Sequence, residues 1–276
     1  MDDKSGQLDL HIHTTFSDGD MTPEEMVADA LEAGLAGIAI TDHDEVEGVR
    51  AAKEAAGDSG FLVIPGVELS TSDGKNDIHV LGYLVDIDSP ELRKYLDIFR
   101  DARLKRGIHM VERLREMGVD IKVDSVLEIA GGGAVGRPHI AAALLQNGCV
   151  ESAEEAFRKY IGFNSQAYVP KYQLKPSDAF RLIRDAGGVG SMSHPGTTRK
   201  DELITDFIAC GMRALEVYHP KHSASETARY KRLAEKMGLV ATGGSDSHGR
   251  RNARLHVGAC TVPLSTLELL EAARSY

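Results

Sequence analysis

Gln7–His13, QLDLHIH, decides the fold. Leu8, Leu10 and Ile12 alternate with Asp9, His11 and His13, so the run reads as a β-strand whose side chains leave opposite faces in turn. Positions two apart point the same way, and His11 and His13 at the strand's end can therefore grip one metal ion. The next segment, TPEEMVADALEAGL, predicts a helix: Thr22 is the N-cap, Pro23 the first helical residue, Glu25 sits three residues after the cap and Gly34 is the stop. GIAITDH (37–43) then reads as a strand, VEGVRAAKEAA (46–56) as a helix, and FLVIPGVELS (61–70) and IHVLGYLVDI (78–87) as further strands. This β-α-β-α order predicts parallel strands joined by right-handed crossovers.

From Pro90 the rhythm changes, because PELRKYLDIFRDARLKRGIHMVERLREMG has helical periodicity with no strand inside it. Residues 89–165 read as an inserted helical subdomain, broken by the glycines Gly131–Gly133. Alternation resumes with a helix (177–187), strand (188–195), helix (202–211), strand (213–220), helix (224–238), strand (239–248) and a last helix from Ser265. The expectation is an α/β chain: a closed TIM-like barrel of about seven β/α units, built from residues 1–88 and 166–276, carrying the insertion.

Composition bounds the function. Thirty-two basic residues against 42 acidic ones give a net charge of −10, and such a chain does not attract an extended duplex nucleic acid by its overall field. A phosphorylated substrate would need local positive charge, from bound cations or a few aimed arginines. No apolar run approaches the roughly 20 residues of a membrane span, and the charged start MDDKSGQLDL lacks a secretory signal, so the expected place is the cytoplasm. Cys149, Cys210 and Cys260 are far apart and odd in number, which argues against a disulfide framework or a thiolate zinc site.

The placement of the histidines carries the chemistry. His11 and His13 end the first strand, His43 the second and Glu68 the third; His79 lies in the next; His194 ends a later one, and Asp246 and His248 follow the last. In a β/α barrel the C-terminal strand ends converge on one face, so these scattered residues become neighbours. Imidazoles mixed with carboxylates suit zinc, manganese or iron. A lone strand-end histidine is more often an ordinary satisfied residue, and His109, His222 and His256 take that bland reading. Asp9, Asp42 and Asp44 are candidate acceptors that orient ligating imidazoles, with helix capping an equal reading for Asp44.

DLHIHTTFSDG, AITDHD, PGVELS, DIHVLGY, SHPG and GGSDSHG resemble, in order, the motifs of the PHP family, named for polymerase and histidinol phosphatase domains. The resemblance covers essentially the whole chain and implies a distorted (β/α)7 barrel holding two or three divalent ions, of manganese, zinc or iron. It further implies that His11, His13, Glu68 and Asp246 hold one ion, that Glu68 bridges to a second held by His79 and His194, and that Asp18, His43 and His248 hold a third. Metal-activated water would then attack phosphorus, with His11, His13, Glu68, Asp246 and His248 as the catalytic set.

VGRPHIAAALLQNG places Arg137 and His139 at a helix start, where a guanidinium and backbone donors can hold phosphate. The run resembles the RPHIA segment of PHP enzymes acting on nucleoside 3',5'-bisphosphates and RNA ends, in which the arginine contacts phosphate. Arg199, His219 and Lys221 follow strand ends and are further candidates. The expected substrate is a small phosphorylated one: a nucleoside 3',5'-bisphosphate, or a short oligonucleotide processed from its 5' end. Histidinol phosphate is the alternative substrate, and a non-catalytic metal-binding domain the alternative of another class.

Overall fold

The structure is a computed structural model that describes residues 4–131, 135–163, 165–170, 172, 174–250 and 255–274. Contacts divide the chain into two compact units, residues 1–94 with 173–276, and residues 95–172.

The first unit is an eight-stranded sheet: β1 (Gln7–Ile12), β2 (Gly37–Ile40), β3 (Leu62–Ser72), β4 (Asp77–Tyr83), β5 (Val189–Met192), β6 (Met212–Tyr218), β7 (Val240–Gly243) and β8 (Val262–Pro263). The spatial order β7-β6-β5-β4-β3-β2-β1-β8 follows the sequence apart from the last short strand. The sheet curls until its ends nearly meet. Ser247, just past β7, forms a parallel bridge with Ile12, and the His13 N–H donates to the Ser247 carbonyl at 2.8 Å. That seam puts the exits of the first and last long strands side by side.

The expectation of parallel strands holds for β1-β2-β3 and β5-β6-β7 but fails at β4, which runs antiparallel to both β3 and β5. The reason is local. Only residues 73–76 separate β3 from β4, too few for the crossover that parallel strands need, and Asp73 closes the turn by accepting from the backbone N–H groups of Lys75 and Asn76 at 2.8 and 2.7 Å. β8 also runs antiparallel, to β1.

Helices cover the sheet: α1 (Pro23–Glu32) and α2 (Gly48–Ala56) follow β1 and β2. In α1 the predicted capping box is present, with Thr22 accepting from Glu25 N and the Glu25 side chain accepting from Thr22 N. Met26, Val27 and Ala30 are its buried face. α3 (Pro90–Glu116) is the long helix foreseen after Pro90 and runs from the first unit into the second. The second unit continues with α4 (Val123–Ala130), α5 (Arg137–Gln146), α6 (Ala153–Ala156) and a π-helical turn, Phe157–Ile161. It has its own core, which includes Met110, Leu114, Ile121, Ile140, Leu144 and Ile161. Gly131 ends α4 in the left-handed conformation; Gly132 and Gly133, the rest of the expected break, lie outside the described residues. Back in the first unit come α7 (Pro176–Asp185), the short α8 (Pro195–Thr198), α9 (Ile204–Ala209), α10 (Ala224–Met237) and α11 (Ser265–Ala273).

Candidate metal centre

β1 delivers His11 and His13 fully buried on one face. β2 exits into His43, and an isolated parallel bridge between His43 and Glu68 ties that exit to β3. The hairpin register sets Leu81 opposite Glu68 and His79 opposite Ser70. Glu68 and His79 are thus diagonal neighbours on the same face, within reach of each other. Antiparallel pairing, not foreseen from sequence, is what makes this contact. Glu68 consequently lies inside a long strand rather than at its end.

Glu68 is the hub. Its Oε2 lies 3.4, 3.2 and 3.1 Å from His11 Nε2, His13 Nε2 and His43 Nδ1, and its Oε1 lies 3.1 and 3.4 Å from His79 Nδ1 and His194 Nε2. His11 Nε2 and His13 Nε2 are 3.0 Å apart and stand 3.6 and 3.5 Å from Asp246 Oδ1. Donors held about 2.1 Å from one cation lie roughly 3.0–3.4 Å apart at octahedral or tetrahedral angles, so these spacings fit a shared ion. Asp18, His43 and His248 gather with His13 in a group whose ligand atoms lie within 4.8 Å of one another. The structure therefore brings together all nine predicted metal-binding residues: His11, His13, Asp18, His43, Glu68, His79, His194, Asp246 and His248.

A second observation points the same way. Among the described residues, His13 Nδ1, Asp18 Oδ1, His43 Nδ1 and His219 Nε2 are buried side-chain atoms with no hydrogen-bond geometry to any partner. Buried polar atoms rarely lack a hydrogen bond; Asp18 Oδ1, His43 Nδ1 and His219 Nε2 have only a carboxylate or imidazole 3.1–3.3 Å away, and ligation would satisfy them.

The electrostatics agree. Burial would raise the Glu68 carboxyl, but His43, His79 and His11 hold it well below the usual carboxylate range. Asp246 and Asp18 are likewise held down against burial, the first by His11 and His13, the second by His43 and His248. Burial opposes charging His13, yet Asp246 and Glu68 outweigh it and push the imidazole up to about 10. His43, by contrast, is held down by burial at about 3 despite Glu68 and Asp18. The concentrated negative charge calls for cations, and where no ion is bound it favours a proton on the His11–His13 pair.

Two expectations need correction, since Asp9 and Asp42 give their oxygens to other groups than imidazole rings. Asp9 accepts from the backbone N–H groups of Ser245 and Gly258 at 2.9 and 2.8 Å. Asp42 accepts from Thr14 and Ser17, and Asp44 from Ser70 N, while the N-cap of α2 is Glu47. These aspartates fix the loops that carry the histidines. The residue that orients His11 is Glu216, fully buried, with Oε1 2.8 Å from His11 Nδ1; its Oε2 accepts from His194 N at 2.6 Å. Sequence reasoning missed it, although a charged residue between Leu215 and Val217 in an apolar strand was a usable signal. Ser193, which donates to Glu68 Oε1 at 2.7 Å, was missed as well.

The predicted substrate contacts separate. His219 is buried, with Nε2 3.3 Å from Asp246 Oδ2, and forms with His11 and Asp246 a group of three possible metal donors. Lys221 Nζ stands 2.7 Å from the same oxygen and is half exposed. Arg199 is exposed and lines a groove with Asp201, Glu202, Glu226, Arg229 and Arg232; it is not among the residues gathered around Glu68. Arg137 and His139 belong to the second unit, where Arg137 opens α5 and His139 Nδ1 accepts from Gly136 N at 3.1 Å. His222 is satisfied by Val217 O and Gly196 N, as its bland reading expected.

The profile of the PHP domain family matches residues 9–185. The chain belongs to the PHP family. The chain is 35% identical over 249 residues to the 5'-3' exoribonuclease Rnm of Salmonella typhimurium, covering 87% of this chain and 84% of that one. It is 33% identical over 257 residues to a 3',5'-nucleoside bisphosphate phosphatase of Chromobacterium violaceum, covering 91% and 90%. A phosphoribosyl 1,2-cyclic phosphate 1,2-diphosphodiesterase of Eggerthella lenta is 31% identical over 254 residues, covering 91% and 97%. Among crystal structures, a protein of Bifidobacterium adolescentis proposed to be a metal-dependent phosphoesterase superposes with a TM-score of 0.87 at 32% identity, covering 96% of each chain. This PHP protein is an enzyme, a metal-dependent phosphoric ester hydrolase. No helix among the described residues is long and apolar enough to cross a membrane.

Proposed function

We propose that the enzyme removes a phosphate from nucleoside 3',5'-bisphosphates or processes short RNA from its 5' end. The observation that carries the chemistry is Glu68, a buried carboxylate whose two oxygens each face separate sets of imidazoles. His11, His13, Glu68 and Asp246 would hold one divalent ion, Glu68, His79 and His194 a second, and Asp18, His43 and His248 a third, of manganese, zinc or iron. Bound ions would supply Lewis acidity toward the phosphoryl oxygens and a water acidic enough to attack phosphorus at neutral pH.

The chain's own groups have separable tasks. Glu216 holds the Nδ1 proton of His11, which leaves Nε2 as the ligand atom. Thr197 Oγ1, 2.8 Å from His194 Nδ1, does the same for that ring. Lys221, paired with Asp246 and half exposed, is placed to pass its charge to a substrate phosphoryl oxygen. Arg137 and His139 are the remaining residues proposed to hold substrate phosphates; Arg199, in its groove with Asp201, Glu202 and Glu226, and His219, buried against Asp246, are not carried forward in that role. The nucleotide reading rests on the likeness of the chain to a nucleoside bisphosphate phosphatase and to exoribonucleases over most of its length.

The test is a parallel assay of manganese-loaded protein on adenosine 3',5'-bisphosphate, a 5'-phosphorylated oligoribonucleotide, a phosphoribosyl 1,2-cyclic phosphate and histidinol phosphate. Turnover concentrated on the first two is expected. Turnover confined to either of the others would replace the proposed substrate. With a substrate in hand, Arg137→Ala should raise KM while the metal content stays intact; unchanged kinetics would remove Arg137 from the site.

A further inference from the structure

The second unit carries a group of rings and guanidiniums that the metal chemistry does not use. Phe163 is 74% exposed, an unusual state for so large an apolar ring. Its edge meets Tyr168 at a centroid distance of 5.3 Å and 64°. The Arg137 guanidinium stands 5.4 Å from the Phe157 ring and 5.9 Å from the Tyr168 ring, and Arg106 lies 5.7 Å from Tyr168.

The group is held in place. Arg106 Nε donates to Val169 O at 2.7 Å, and Arg113 donates to Tyr168 O at 2.5 Å, so two arginines of α3 pin the backbone beneath the Tyr168 ring. The π-helical turn Phe157–Ile161 ends where Gly162 N donates to Phe157 O at 2.7 Å, and a Cβ on Gly162 would stand 2.4 Å from that same oxygen. Such turns are costly and recur at functional sites. Here the turn fixes Phe157 under Arg137 and delivers Phe163 to the surface. Among the described residues, the Arg137 guanidinium makes its contacts with rings and none with a carboxylate, which leaves its fork of donors for an outside anion.

We propose that this platform binds the base of a nucleotide: an unpaired nucleobase stacks on Phe163 while a phosphate of the same nucleotide meets the Arg137 guanidinium. An open ring resting on Tyr168, whose own ring lies beside the Arg137 guanidinium, in an otherwise acidic chain matches a planar, uncharged base carried by a polyanion. A protein partner would need about 800 Å² of complementary surface; one exposed ring among cations offers much less. The inference rests on the nucleotide reading above and deepens it, since it assigns base recognition to the inserted helical unit.

The test is calorimetric titration of the full chain in EDTA, where no turnover occurs, with a 5'-phosphorylated diribonucleotide and with its abasic counterpart of equal charge. The base-bearing ligand should bind about 5- to 100-fold more tightly, the range that stacking on an aromatic side chain gives per base. Phe163→Ala should abolish that preference and Phe163→Tyr should keep it, with unchanged circular dichroism in both. A wild-type chain that does not prefer the base-bearing ligand, or a Phe163→Ala variant that keeps the full preference, would overturn the proposal. Hydrolysis is read separately on the manganese-loaded enzyme, so failure of the nucleotidase reading and failure of base stacking give different results.

Discussion

At Gly244 a Cβ would stand 2.3 Å from the His11 backbone nitrogen and 2.5 Å from His11 Cβ. The chain after β7 can pass β1 this closely because that residue has no side chain, and the passage sets both Asp246 and His11. Gly244→Ala should therefore push the two segments apart, costing about 1–3 kcal/mol of stability and lowering bound metal, as denaturant unfolding and elemental analysis would read. Glu216 acts through His11. Glu216→Gln keeps its shape but removes the charge beside Nδ1, and metal affinity should fall about 10- to 100-fold in a chelator competition while the fold persists; unaltered affinity would leave Glu216 as packing alone. Asp246, His194 and Asp44 are non-glycine residues with positive φ, of 53°, 26° and 53°. Backbone strain of this kind gathers at functional sites.

Among the elements, the β3–β4 hairpin matters most, because it brings His79 onto Glu68. Its strands were legible as alternating apolar runs, but its direction was misjudged, since the β-α-β-α rhythm before it was extended past a connection too short for a helix. α1 was legible in detail, because its signals are local: cap, proline and acidic third residue all act within four positions. Thr22→Ala should cost about 1 kcal/mol in urea unfolding and leave metal affinity unchanged, since α1 carries none of the donors around Glu68. α5 begins at Arg137 as its proline predicted. The π-helical turn had no sequence signature, because a fifth-residue hydrogen bond is set by the packing around it.

For the molecule as a whole, metal and fold are linked. Ions that bind only the folded state stabilise it by about 2.7 kcal/mol at a hundred times their Kd, so chelation should lower Tm and added manganese should restore it. The pH dependence has a definite sign. In the metal-free chain His13 titrates at about 10 against an ordinary 6.5, so its protonated form favours the fold. That contribution is complete below pH 6.5 and disappears as pH rises through 10. Chelated protein should thus lose stability between pH 7 and 10, while metal-loaded protein, whose His13 is already deprotonated, should not. Binding at pH 7.5 should also release protons, measurable as a dependence of the calorimetric enthalpy on the buffer's ionisation heat. A chelated chain equally stable across that pH range would show that His13 carries no such proton.

The sequence by itself determined which residue types meet and in what order: alternating strands and helices, histidines and acids at or near strand ends, and a long helix after Pro90. Those signals are local, or repeat with a period that survives without knowledge of partners. Only the tertiary structure decided that β4 runs antiparallel, that Glu216 rather than Asp9 orients the His11 ring, that His219 reaches Asp246, and that Arg199 faces another groove. Each depends on which distant segment packs alongside, and a charged side chain's task is set by the neighbour that burial gives it.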